Sequence, residues 1–128
     1  MKSRDTALRL KRFEADEKAR KVADLEYMIR DFETMAADLD RQIQAEEDRT
    51  GVKDKSHFAY STYAKSAVQR RDNLRSSAGE LRAKLQAALK ERDDAAEQVT
   101  RAYTMPPREI TEKRGRRRIE RNTSASLR

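Results

Sequence analysis

Alternating steps of three and four residues through the first half of the chain land on Leu8, Lys11, Ala15, Lys18, Val22, Leu25, Ile29, Phe32, Ala36, Leu39 and Ile43. Only the two lysines are polar, so the run reads as the heptad seam of one long helix. The second half gives Tyr60, Ala64, Ala67, Arg71, Leu74, Ala78, Leu81, Leu85, Ala88, Arg92, Ala95, Val99 and Ala102, interrupted only by Arg71 and Arg92. Between the seams lies DRTGVKDKSHFAYSTYAKS, residues 48–66, which holds one of three glycines, the sole histidine and three of the seven aromatic residues. Gly51 is placed to end the first helix with positive φ, and Ser56 to cap the second. This predicts a turn at about residues 50–56. Pro106 and Pro107 stop the second helix, since neither has an N–H.

Folding the chain back on itself pairs residues whose numbers sum to 106 or 107. Leu25 then meets Leu81, Val22 meets Leu85, and Leu8 meets Val99. Each intruding cation faces an alanine: Lys18 opposite Ala88, Lys11 opposite Ala95, Arg92 opposite Ala15, Arg71 opposite Ala36. That leaves room for the aliphatic stem to cross the seam while the charge reaches water. A parallel self-dimer would instead stack Lys18 on Lys18. Acid-before-base pairs four residues apart add support: Glu14–Lys18, Asp16–Arg20, Glu17–Lys21, Glu26–Arg30, Glu80–Lys84 and Glu97–Arg101. The expected fold is all-α: a long antiparallel two-helix coiled-coil hairpin over residues 1–104, then a basic, flexible, Pro-initiated Arg-rich tail over 105–128. Met28, Met35 and Leu89 lie beside the seam and would form a second, exposed apolar strip.

Composition narrows the chemistry. Of 128 residues, 41% are charged and 36% apolar, the balance of long helices rather than of a compact globule. No cysteine is present, which excludes disulfides and thiolate zinc sites. A lone histidine cannot build a multi-His metal centre, and three scattered glycines do not make a phosphate-cradling loop. Glu46–Glu47–Asp48 reads as a solvated helix end, since hard cations need six or more converging oxygens. No apolar run suits a signal peptide or a membrane span. A non-enzymatic, soluble protein is expected, with no cofactor, no metal and no small-molecule substrate.

The net charge is +7, and residues 105–128 supply +5 of it, eight Lys/Arg against three Glu. The cluster Lys113, Arg114, Arg116, Arg117, Arg118 and Arg121 suits phosphates or acidic surfaces. No aromatic residues interleave these arginines, so base stacking is unsupported and specific nucleic-acid binding is not the expected role. His57, Phe58, Tyr60 and Tyr63 admit two readings. They plug the hairpin's end, with Tyr60 opposite Glu46 and Phe58 folded over the turn, or some of them project and anchor a partner. Two other roles stay open: nucleic-acid binding through the basic tail, and a holdase or scaffold hairpin.

The opening MKSRDTALRLKRFEADEKARKVADLE and, more distinctively, the linker TGVKDKSHFAYSTYAKSAVQRRDNL resemble the FliJ family. These are small coiled-coil proteins of the bacterial flagellar type III export apparatus. The likeness covers roughly residues 1–104 and leaves out the tail. It implies an antiparallel two-helix coiled coil that acts as a stalk in the export ATPase hexamer. It further implies contact with the cytoplasmic domain of the membrane export gate and with substrate chaperones. Location would be cytoplasmic, peripheral to the flagellar basal body at the inner membrane. On that resemblance Leu8, Lys11, Lys18, Leu89, Arg92 and Val99 belong to the ATPase-facing end. His57, Phe58, Tyr60 and Tyr63 belong to the gate-facing tip.

Overall fold

The computed structural model describes residues 2–104. They form two helices that pack against each other, α1 (Lys2–Thr50) and α2 (Thr62–Thr104), as the expected all-α hairpin. The tail expected at 105–128, with its cationic cluster, lies outside the described residues.

The heptad seams are the core. All eleven buried residues among those described lie on them: Val22, Leu25, Ile29, Ala36, Leu39, Ile43, Tyr60, Ala64, Ala67, Ala78 and Ala88. Every other seam position is half-buried. The alternation of bulky and small side chains explains the fit. Val22 and Leu25 pack with Ala88, beside Leu81, Leu85 and Leu89. Leu39 and Ile43 pack with Ala67, beside Val68 and Leu74.

The chain divides into two compact units. One is Arg20–Lys90, and it contains every buried residue named above. The other joins residues 2–19 to residues 91–104, and none of the side chains described there is buried. Fully burying a large aliphatic side chain contributes about 1.5–3 kcal/mol, so apolar stabilisation concentrates in the first unit.

The helix ends inside residues 20–90 have identifiable causes. Gly51 takes φ 75°, and its N–H donates to the Glu47 carbonyl at 2.9 Å, closing α1 as an αL cap. The second helix starts later than the expected turn at 50–56 allows: residues 51–61 are non-helical. Asp54 is the reason. Its Oδ1 accepts both the Ser56 N–H at 3.0 Å and the Ser56 hydroxyl at 2.7 Å, so Ser56 closes a local Asx turn instead of capping α2. Two turns follow, with the His57 N–H on the Asp54 carbonyl at 3.1 Å and the Tyr60 N–H on the His57 carbonyl at 3.0 Å. Ser61 then serves as the N-cap, its Oγ accepting the Ala64 N–H at 3.2 Å.

Candidate functional site

Within residues 20–90 the linker displays one ring and hides another. Phe58 is 96% exposed, its ring centroid 4.6 Å from that of His57 in a stacked pair. The His57 Nδ1 accepts the Ala59 N–H at 3.0 Å, which fixes the ring beneath Phe58. Phe58 therefore projects and does not fold over the turn. Tyr60 does the opposite: it is buried, and its hydroxyl donates to Glu47 Oε2 at 3.2 Å, not to Glu46 as the pairing arithmetic suggested. Burial, and then the neighbouring carboxylate, hold the Tyr60 phenol above its ordinary range. As a partner contact Tyr60 is consumed; it plugs the end of the seam. Tyr63 stays exposed and donates to Gln42 Oε1 at 3.0 Å.

The carboxylates of this region are engaged internally. Glu46 receives the Arg49 Nη2 at 2.6 Å and the Ser61 hydroxyl at 2.9 Å, and those bonds draw its carboxyl below the usual range. Asp54 is lowered in the same way by the Ser56 hydroxyl and amide. Asp48 lies 3.4 Å from Lys53. Among the described residues no cluster of His, Cys, Asp and Glu is arranged to hold a metal ion.

Further along the same unit, Arg71 crosses the seam but does not end in water. Its side chain is 15% exposed and pairs with Asp40 at 2.9 Å and Asp72 at 3.0 Å, bonds that keep the guanidinium firmly charged. Arg75 also reaches Asp40, and Arg82 reaches Glu33. Two open hollows of about 350 and 330 Å³ lie on this ion-paired edge, floored by Phe32, Ala36 and Ala78 and by Ile29 and Leu85. Leu89 is half-buried against the Val22–Leu25–Ala88 cluster, which corrects its assignment to an exposed strip. Met28 and Met35 do remain exposed, at 39% and 38%.

In the unit holding residues 2–19 and 91–104, Leu8 and Val99 are half-buried on the seam. Lys18 donates to Glu91 at 3.1 Å, and Lys11 to Gln98 Oε1 at 3.1 Å. Arg92 folds onto Asp93 at 3.1 Å. These cations cover the seam as expected but end on side-chain acceptors, contacts that fix register more than they stabilise, since exposed pairs contribute about 0–1 kcal/mol. Leu10, Phe13 and Tyr103 fall within the stretches Leu8–Lys18 and Leu89–Tyr103 assigned to the ATPase-facing end, and they are 56%, 59% and 61% exposed. Arg12 lies 5.8 Å over the Tyr103 ring, and Arg4 donates to the Tyr103 carbonyl at 3.0 Å. The available signal was the Leu10–Phe13 pair, three residues apart and off the seam.

Among the described residues no helix is long and apolar enough to cross a membrane. Compared with protein-family models, with curated proteins and with solved structures, the chain gives no match.

Proposed function

We propose that the protein is a non-enzymatic coiled-coil adaptor of the flagellar protein export apparatus, a FliJ-like stalk for the export ATPase that links it to the membrane export gate and substrate chaperones. The observation that carries the reading is the linker: TGVKDKSHFAYSTYAKSAVQRRDNL, the more distinctive part of the resemblance, joins two helices and displays Phe58 at 96% exposure. A seam rich in alanine and flanked by charge is compatible with a narrow shaft whose contacts bias the states of surrounding subunits. In this reading Leu8, Lys11, Lys18, Arg92 and Val99 mark the ATPase-facing region. Phe58 and Tyr63 mark the gate-facing one, and the protein works in the cytoplasm beside the basal body.

Purified chain titrated into a flagellar export ATPase hexamer tests this. Co-purification and a rise in ATP turnover that saturates with added chain are expected. Unchanged turnover at saturating chain, with no co-purification, refutes the stalk.

A further inference from the structure

The two edges of the seam within residues 20–90 are built differently. On one edge ion pairs cross the hairpin, Glu33 with Arg82 and Asp40 with Arg71 and Arg75. The other edge is marked by the Tyr63–Gln42 hydrogen bond. Gln42 continues the row of Met28 and Met35 at steps of seven, and Tyr63 begins a row through Arg70 to Lys84. These rows therefore face one another, and here the methionines stay exposed. Asp24 and Asp31 flank them on the outer side of α1, Asp24 four residues before Met28 and Asp31 three after Met28 and four before Met35. Asp24, Asp31, Arg70 and Lys84 are exposed and join no ion pair among the described residues.

We infer that this methionine edge is the docking surface for an amphipathic helix of a protein partner. The incoming helix lays apolar residues, seven apart, on Met28 and Met35. It carries lysine or arginine toward Asp24 and Asp31, and aspartate or glutamate toward Arg70 and Lys84. The spacing matches because seven residues advance both helices by about 10.5 Å, two turns. Methionine suits the task, being unbranched and adaptable to differing apolar partners. Charge of both signs on one edge selects this occupant. An anionic membrane or a nucleic acid would be repelled by the aspartates, and stacking α1 on α1 of a second copy sets aspartate rows together. The inference stands without the export reading, since it uses only geometry and charge.

The test uses the full chain and two labelled peptides of about three heptads each, sharing one leucine seam. One carries lysine on the edge meant for α1 and glutamate on the other; in its twin the two edges are exchanged. Fluorescence anisotropy should show the matched peptide binding about 10-fold more tightly, the effect of two or three surface charge pairs. M28S/M35S should weaken both peptides by about 10-fold with helicity unchanged in circular dichroism, and D24K/D31K should abolish the preference, since both sides of the edge are then cationic. Equal affinity for the twins, binding by neither, or a preference that survives D24K/D31K overturns the proposal. Sedimentation that shows self-association abolished by M28S/M35S also overturns it, assigning the edge to a second copy.

Discussion

Ser61 carries two bonds on one hydroxyl, accepting from the Ala64 amide to start α2 and donating to Glu46 on α1. A single oxygen thus sets both where the second helix begins and how it meets the first. Ser61→Ala should cost about 1 kcal/mol, the usual loss of an N-cap, with a further contribution from the unpaired Glu46 oxygen. Ser56→Ala should cost less, because it removes only the exposed hydroxyl bond to Asp54 and leaves the amide bond that closes the Asx turn. Urea denaturation of the two variants checks the order, and equal losses would mean that Ser56 also caps. Residue pattern alone favoured Ser56 because both serines precede helix-compatible sequence. What separates them is Asp54, two positions earlier, whose carboxylate takes the Ser56 hydroxyl first. The aromatic residues show the same limit. Tyr60 was legible as a plug because it falls on the seam, whereas the exposure of Phe58 depends on turns that periodicity does not encode.

At the scale of helices, the seam was readable because a heptad repeat states its own burial: each seam position named above is buried or half-buried. The ion pairs beside it were not. Arg71 was expected to end in water opposite Ala36, but a guanidinium on a long stem reaches a full turn further, to Asp40. Linear pairing fixes Cα register and leaves such reach open. Gly79 is a poor helix former inside α2, and the structure gives it no compensating role. A Cβ added there meets nothing within 4 Å. Gly79→Ala should therefore stabilise the hairpin by about 1 kcal/mol, the intrinsic helix preference, read as a raised urea midpoint with unchanged slope. A loss of stability would place an unrecognised close contact at that position.

For the whole molecule, the uneven placement of buried residues has a dynamic consequence. The described unit formed by residues 2–19 and 91–104 has eight seam positions, of which three are cations and three alanines. Leu8 and Val99 are the remaining two, and both are only half-buried. The Arg20–Lys90 unit instead closes Val22, Leu25, Ile29, Leu39 and Ile43 over small partners. Local opening costs least where few apolar contacts are lost. Amide hydrogen exchange should accordingly be fast in residues 2–19 and 91–104 and slowest near Val22–Ile43 and Ala64–Ala88. Heptad arithmetic allows this gradient to be read in advance, since the spacing persists while the size of the side chains falls. If an ATPase ring grips the 2–19 and 91–104 segments, adding the hexamer should slow exchange there and leave the 20–90 unit unchanged. Uniform protection in the free chain would show that the seam's buried apolar side chains are not what holds the two helices together.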